Sequence, residues 1–262
     1  MKDDLILSIF CGIDLLGKAF EKEGFCVVKA GDKSLDGSDI RKFRVVRNKF
    51  NGIIGGSPCQ DFSRLNRKKG NYGFEMLNEY RRVVFEASPD WYLFENVIGV
   101  PEFEIEGYQS QRFTLDLAWF SPFSRLRVFQ FGNKKGIKLN PVLGVRNEIK
   151  GTAVTGGDER SFKTICEIQG ITENLGLEFL SLDGKKQAVA NGVPIQLGKY
   201  IAMMIKRDYY RTLETGKKEE IEYRRCGCSC GRVVTGNLKY AGASCRKRAQ
   251  RKREKLAIDT GK

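Results

Sequence analysis

A short apolar run that ends at glycine or a polar residue occurs four times in the first hundred residues of the chain. Runs of this length are typical of strands buried on both faces, as in parallel sheets. Segments with helical spacing, Leu15–Gly24 and Asn78–Ala87, lie between some of them. This alternation predicts an α/β domain with an open, mostly parallel sheet, whose ligands bind beyond the carboxyl ends of the strands. The four runs are Leu5–Phe10, Cys26–Ala30, Gly52–Ile54 and Trp91–Phe94.

The rest of the chain divides by composition. Arg125–Phe131 alternates like a strand, and Ile195–Lys206 has a helical pattern that begins after Pro194, a residue suited to a first helical turn. Residues 133–185 are rich in glycine and polar residues, with weak periodicity. A chain of 262 residues can bury one sizeable core and a small appendage. We predict a main domain (residues 1–132 and 186–222), a small lobe (133–185) and a tail (223–262).

Positive charge is concentrated in the tail. These forty residues contain twelve Lys or Arg and two Asp or Glu, so they carry ten of the net charge of +14. The preceding 222 residues have a net charge of +4. So basic a segment predicts a polyanionic partner, which the tail contacts more than the body does.

Residue types and patterns that the sequence lacks limit which catalytic groups and metal sites it can contain. The chain has no histidine, which excludes Ser-His and Cys-His dyads and histidine-ligated metals. Its eight cysteines are expected to be thiols, because the sequence shows no secretory leader. No apolar run approaches the roughly 18 to 20 residues that cross a bilayer. We therefore expect a cytoplasmic protein whose catalysis depends on Cys, Glu, Asp, Arg or Lys.

The ends of the first two predicted strands suit a nucleotide-type ligand. Gly12 follows the first strand and precedes a helix, and glycine there lets the backbone approach a ligand. Asp32 follows the second strand, where an acid can bond ribose hydroxyls. An ordinary turn at Gly12 and a solvated aspartate at Asp32 are equally open interpretations.

The later strands carry a thiol, a carboxylate and two guanidinium groups. Cys59 lies in a glycine-rich loop where positive charge can activate it, although a lone cysteine is more often structural. Glu95 follows a neighbouring strand, and burial there would raise its pKa and allow proton donation, although such a glutamate is more often a surface acid. Arg125 and Arg127 share one strand face, which either binds an anion or carbonyl or is simply solvated.

In their order along the chain, these segments resemble the motifs of the DNA cytosine-5 methyltransferase family. All five occur in the family's unpermuted order, over about residues 5–206. The resemblance implies a Rossmann-like, S-adenosylmethionine-dependent methyltransferase fold and methyl transfer to C5 of cytosine in double-stranded DNA. The segments are FCGIDLLGKAFEKEGF (first cofactor motif), GGSPCQDFS (nucleophile motif), ENV (glutamate motif), SRLRVFQFG (arginine motif) and VANGVPIQLGKYIA (last motif).

The resemblance also implies a role for each matching residue. Cys59 would add to C6 of a cytosine flipped out of the duplex, and Glu95 would contact N3 and the exocyclic amine. Arg127 would bind the O2 carbonyl, and Arg125 would hold the loop or a phosphate. The residues expected to bind S-adenosylmethionine are Phe10, Gly12, Asp32, Asp39, Pro58, Asn191 and Val193.

The chain departs from the family pattern within the motifs. Asp14 and Leu15 stand where further glycines are common, and the stretch from Asp32 to Asp39 is shorter than usual, which weakens the assignments of Asp32 and Asp39 but not that of Cys59. Phe123 replaces the glutamine that commonly opens the arginine motif, and Ala190 replaces a glycine in the last motif. Both arginines of the arginine motif are retained.

The segment that would recognise a DNA sequence is short. About fifty residues separate the arginine motif from the last motif, where family members usually have a long insertion. About twenty-five of them, residues 133–158, remain to contact bases. That is little surface for reading several base pairs in the major groove.

The tail combines cysteines with a basic run at residues 246–253. Four thiolates suit tetrahedral zinc, although the Cys-x-Cys-x-Cys spacing differs from the usual Cys-x-x-Cys pair, and a reduced, metal-free tail is the alternative. Its cations would contact DNA phosphates, or merely raise nonspecific affinity from a disordered extension. The candidate zinc ligands are Cys226, Cys228, Cys230 and Cys245.

Two other functions compete with DNA methylation. A relative of the family acts on tRNA with the same loop, but the Cys-Phe-Thr-type motif of that branch is absent from the sequence. A DNA-binding regulator on a decayed catalytic body is the other, and the intact set of Cys59, Glu95, Arg125 and Arg127 argues against it. We expect a monomeric enzyme that belongs to a restriction-modification system with a cognate endonuclease or to a phage.

Overall fold

The computed structural model describes residues 4–32, 37–63, 70–144, 146–152 and 158–216, with the short segments 223–225, 233–235, 246–247 and 249–251. A 3₁₀ turn lies at Leu117–Trp119, and a π-helical turn, Ile205–Tyr210, follows the fifth helix. The strands are β1 (Leu5–Ile9), β2 (Cys26–Ala30), β3 (Gly52–Gly55), β4 (Trp91–Asn96), β5 (Gln109–Asp116), β6 (Phe123–Ser124), β7 (Leu126–Asn133), β8 (Gly151–Thr152), β9 (Tyr223–Arg225) and β10 (Val233–Thr235). The helices are α1 (Leu15–Glu21), α2 (Tyr72–Ala87), α3 (Phe162–Gln169), α4 (Leu182–Asn191), α5 (Ile195–Met204) and α6 (Arg211–Thr215).

The main sheet has six strands in the order β2-β1-β3-β4-β7-β5. The first four are parallel, whereas β7 runs antiparallel to both β4 and β5. Ile9 pairs with Gly55, and Gly55 pairs with Phe94, so the carboxyl ends of β1, β3 and β4 meet at one edge. The α/β class and the mostly parallel sheet are confirmed.

Buried side chains on the two faces of the sheet form two apolar clusters. Along β4, Trp91 and Leu93 belong to one cluster, and Tyr92 and Phe94 belong to the other. This alternation follows from the two-residue period of a strand. The first cluster includes residues of α1 and α5, and the second includes residues of α2. Helices therefore cover both faces, which explains why the central strands read as continuous apolar runs.

Several observed boundaries of helices and strands differ from the predicted ones because of tertiary packing. Helix α2 begins at Tyr72 and not at Asn78, because Gly73 and Met76 extend its buried face by a turn and a half. Strand β5 was missed, since its sequence QSQRFTLD is mostly polar, and it forms by pairing along all eight positions of β7. Helices α3 and α4 were missed as well, in a stretch with weak periodicity. Helix α5 ends at Met204, where the π-helical turn begins.

Residues 133–185 share buried contacts with the main domain. Leu139, Ile165, Ile168 and Leu177 belong to the same apolar cluster as Ile6 of β1. The division into a main domain, a small lobe and a tail stays a prediction. Among the described helices, none combines the length and the apolar composition that crossing a bilayer requires.

Candidate active site

Cys59 lies in the loop that follows β3, at the carboxyl edge of the sheet. We call residues 56–63 the Cys59 loop. The Cys59 side chain is exposed, and its backbone carbonyl accepts hydrogen bonds from the N–H groups of Phe62 (3.0 Å) and Ser63 (2.9 Å). These bonds close a tight turn immediately after the thiol.

Asp61 anchors the Cys59 loop to α2 and was not predicted as a site residue. Its buried carboxylate accepts hydrogen bonds from the N–H groups of Gly70 (2.7 Å) and Gly73 (2.6 Å). A signal for this anchor was in the sequence, because aspartate in a loop before a helix commonly accepts from backbone N–H groups.

Glu95, near the end of β4, lies directly beside the Cys59 loop. Its side chain is 14% exposed, and its Oε1 lies 3.0 Å from Nε of Arg127 in an ion pair. A Cβ atom placed on Gly56 would lie 2.5 Å from the Glu95 carbonyl oxygen and 2.9 Å from its Oε2. Asn96, another unpredicted contributor, donates from Nδ2 to the Ser57 carbonyl (2.9 Å). Gly56 and Asn96 thus bring the Glu95 carboxyl group and the Cys59 loop together.

The two arginines of the arginine motif have different surroundings. Arg127 pairs with Glu95 at the site edge and also donates to the Leu126 carbonyl (2.9 Å). Arg125 is buried, and its Nη2 donates to the carbonyls of Ala190 (2.6 Å) and Gly192 (3.2 Å). Arg125 therefore links the arginine motif to the turn between α4 and α5.

Burial and neighbouring charges change the ionisation of this cluster. Desolvation raises the pKa of Glu95, although Arg127 and Arg125 act in the opposite direction. Desolvation and the charge of Glu95 raise the pKa of the Cys59 thiol, which both arginines oppose. Burial and the charge of Arg127 lower the pKa of Arg125 to about 9, so it stays protonated at neutral pH. Because Glu95 is one cause of the raised thiol pKa, protonation of Glu95 favours the thiolate.

The turn after β1 contains three residues in the left-handed region, Phe10 (φ 52°), Gly12 (φ 53°) and Asp14 (φ 57°). The Gly12 N–H donates to Oδ2 of Asp32 at 2.6 Å, which ties the ends of β1 and β2 together. A Cβ atom on Gly12 would have only that oxygen within 4 Å among the described residues, at 3.9 Å. Among the described residues, the space in front of this backbone is therefore open, as a ligand-binding turn requires.

Asp14 shows how the chain replaces a glycine in this turn. Its carboxylate accepts from Ser8 Oγ (2.7 Å) and from the Gly17 N–H (3.1 Å), so it caps α1 from a left-handed backbone position. Aspartate adopts this conformation more readily than most residues because its side chain bonds locally. Asp14 therefore occupies a left-handed position that glycine would also adopt.

The other predicted cofactor residues are spread more widely. Asp39 forms an ion pair with Arg41 at 2.6 Å. Pro58 precedes Cys59 and is half-buried. Asn191 is exposed at the end of α4, and Val193 is buried in the first apolar cluster. Their roles toward a cofactor stay predictions.

The four tail cysteines lie outside the described residues. Within the described part of the chain, no group of three or more Cys, Asp or Glu side chains is arranged to hold a metal ion.

Comparison with known proteins gives one family and several relatives. A family model described as C-5 cytosine-specific DNA methylase matches residues 22–253. The chain is 28% identical over 174 residues to the Type II methyltransferase M.AgeI of Thalassovita gelatinovora, covering 52% of this chain and 41% of that protein. It is 30% identical over 103 residues to the orphan methyltransferase M.SPRI of Bacillus phage SPR, covering 36% of this chain and 23% of that protein. The match spans less than half the length of either relative.

A solved structure shares the fold. The methyltransferase EhMeth of Entamoeba histolytica matches with a TM-score of 0.57, over 78% of this chain and 98% of that one, at 11% identity. At this identity the likeness concerns the fold alone.

Proposed function

Because the chain belongs to the C-5 cytosine-specific DNA methylase family, we propose that it transfers the methyl group of S-adenosylmethionine to C5 of cytosine in double-stranded DNA. The observation that carries this proposal is the cluster formed by Cys59, Glu95, Arg125 and Arg127 at the carboxyl edge of the sheet. An exposed thiol beside a carboxyl group of raised pKa and two guanidinium groups suits addition to an electron-poor ring on which negative charge develops.

Cys59 would act as the nucleophile. C5 of cytosine is a weak nucleophile, and addition of the Cys59 thiolate to C6 shifts the C5–C6 π electrons so that C5 becomes enamine-like. Glu95 would donate a proton to N3, and Arg127 would donate a hydrogen bond to O2, so that both stabilise the charge that develops on the ring. When bound, S-adenosylmethionine would supply an electrophilic methyl group to C5, and the S–CH3 bond would break to leave S-adenosylhomocysteine. Loss of the C5 proton to solvent re-forms the double bond, Cys59 leaves as thiolate, and N3 returns its proton to Glu95.

The target base would have to leave the duplex. C5 and C6 lie within the base stack, so the nucleotide must be flipped out, at a cost of a few kcal/mol. The exposed position of Cys59 at the end of the sheet suits a base that approaches from outside the protein.

The cofactor would lie at the ends of β1 and β2. The open space in front of Gly12 and the bond from Gly12 to Asp32 support this position. Arg125 holds both carbonyls that flank Asn191, which supports a role of the last motif in closing the pocket. The proposed cofactor residues are Phe10, Gly12, Asp32, Asp39, Pro58, Asn191 and Val193.

The remaining proposals concern the setting. We place the reaction in the cytoplasm, catalysed by a monomer that acts alongside a cognate endonuclease or within a phage. Residues 133–158 would read the DNA sequence, and the cations of the tail would contact phosphates. A zinc site at Cys226, Cys228, Cys230 and Cys245 is part of the same proposal.

Incubation of the purified chain with DNA of many sequences and labelled S-adenosylmethionine tests the activity. We expect label in DNA, and bisulfite sequencing of DNA from expressing cells gives the target sequence. A parallel reaction with tRNA separates the two substrates, and preferential labelling of tRNA would overturn DNA as the substrate. Cofactor binding without transfer to any nucleic acid would refute the activity.

Substitution of Gly56 tests how closely Glu95 must approach the Cys59 loop. In Gly56→Ala the new methyl group would clash with the Glu95 carbonyl oxygen and displace the carboxyl group. We expect kcat to fall about 10- to 100-fold, because displacements of about 1 Å are costly at a reacting centre. Gly184→Ala is the matched control, since a Cβ there would have side-chain atoms of Ser181 and Leu180 as its nearest contacts, at 3.3 and 3.4 Å. Equal rates in the two variants would show that this close approach is unimportant.

A further inference from the structure

Asp116, the last residue of β5, is a buried carboxylate surrounded by hydrogen-bond donors. Its side chain is only 4% exposed. Oδ1 accepts from the N–H groups of Ala118 (3.1 Å) and Arg125 (2.7 Å). Oδ2 accepts from Ser124 Oγ (2.9 Å) and pairs with the guanidinium group of Arg146. One carboxylate therefore joins the end of β5, the arginine motif and the segment that contains Arg146.

The backbone of Arg125 is held on both sides by this strand end. Its N–H donates to Asp116, and its carbonyl accepts from the Leu117 N–H at 3.2 Å. The Arg125 side chain then reaches the carbonyls of Ala190 and Gly192. A displacement at Asp116 would thus be passed through Arg125 to the turn between α4 and α5.

Arg146 brings a different part of the chain to the same carboxylate. Its side chain is 45% exposed, and the residues that follow it dock on the turn after β5. The Asn147 N–H donates to the Ala118 carbonyl (2.9 Å), and the Lys150 N–H donates to the Pro122 carbonyl (2.8 Å). These residues belong to the stretch between the arginine motif and the last motif.

Asp116 is held in its ionised form. Burial would raise its pKa, but hydrogen bonds from Ala118, Ser124 and Arg125 outweigh that effect and lower the pKa. A carboxylate accepts from two backbone N–H groups, a hydroxyl and a guanidinium at once, whereas an amide would turn an N–H group toward one of these donors.

We propose that Asp116 is a positioning residue of the active site. It sets the position of Arg125 and couples that position to the docking of Arg146. The expected change in kcat rests on the proposed function, whereas the expected change in the position of Arg125 does not. Asp116 acts through Arg125 and contacts no reacting atom.

Hydrogen exchange measures the structural part on the full chain. In Asp116→Ala we expect exchange at the Arg125 amide and in residues 189–193 to accelerate at least about tenfold. Asp116→Asn, which keeps one acceptor for the two N–H groups, should restore part of the protection. Arg82→Met is the control, because it breaks ion pairs with Glu79 and Glu86, which both lie on α2. Unchanged exchange in the Asp116 variants would overturn the proposal.

Kinetics measure the coupling. We expect kcat to fall about tenfold in Asp116→Asn and less in Arg146→Met, with the KM for the cofactor changed less than about twofold. The double variant should match Asp116→Asn alone, since Arg146 acts through Asp116. Additive effects, or a folded Asp116→Asn variant with wild-type kcat, would refute the coupling.

Should Asp116→Ala not fold, Asp116→Asn and Arg146→Met still decide whether Asp116 positions Arg125. If the wild-type chain methylated no nucleic acid, the proposed function would fail while the exchange experiment still tested the role of Asp116.

Discussion

Cys59→Ser is expected to lower methyl transfer to DNA by at least about 1,000-fold while leaving cofactor binding and Tm unchanged. A serine hydroxyl has nearly the same shape as the thiol, but its far higher pKa leaves almost no anion to attack C6. The Cys59 side chain is exposed, so the substitution removes no core packing. Radiolabel transfer and calorimetric titration with the cofactor measure the two properties separately.

A covalent adduct that cannot turn over tests the same role of Cys59 without a rate measurement. DNA that contains 5-fluorocytosine should form a covalent complex with the wild-type chain, because fluorine at C5 blocks the elimination that releases the enzyme. The complex should be absent from Cys59→Ser and unchanged in Cys26→Ser, which replaces another exposed cysteine, on β2. Persistence of the adduct in Cys59→Ser would show that a different residue is the nucleophile.

Glu95→Gln is expected to lower kcat about 100-fold and to change the shape of the pH profile. The wild-type reaction needs Cys59 as thiolate and Glu95 as the protonated acid. Because both pKa values are raised and the carboxyl group titrates first, kcat/KM should rise as the pH approaches the pKa of Glu95 and fall above the pKa of the thiol. Glutamine cannot lose a proton, so the part of the alkaline fall that comes from Glu95 should disappear, and the rate should keep rising toward the pKa of the thiol.

Thiol alkylation tests the electrostatic part of this prediction without turnover. The negative charge of Glu95 is one cause of the raised pKa of Cys59, so Glu95→Gln should shift the alkylation midpoint to lower pH. Glu75→Gln is a suitable control, since it removes a carboxylate on α2 that pairs with Arg41 and not with the site. A midpoint that moves equally in both variants, or in neither, would contradict the coupling between Glu95 and Cys59.

Local sequence was enough to find the elements of strong pattern. Strand β2 was predicted at its observed bounds. The apolar runs at β1, β3 and β4 were placed within a residue or two, because a strand buried on both faces is mostly apolar. Strand β5 and helix α4 carried no such pattern, since QSQRFTLD and LDGKKQAVAN are largely polar. Their structure depends on partners distant in the sequence.

The sequence alone determined the α/β class and the order of Cys59, Glu95, Arg125 and Arg127, since strand ends and motif residues are local properties of the chain. It could not determine which of these groups pair. Only the tertiary structure decided that Glu95 pairs with Arg127, that Arg125 turns to the carbonyls of Ala190 and Gly192, and that Asp61, Asn96 and Asp116 hold the surrounding loops. The physical reason is that a hydrogen bond between residues far apart in the sequence depends on how the strands and helices pack, and a local pattern carries no record of that packing.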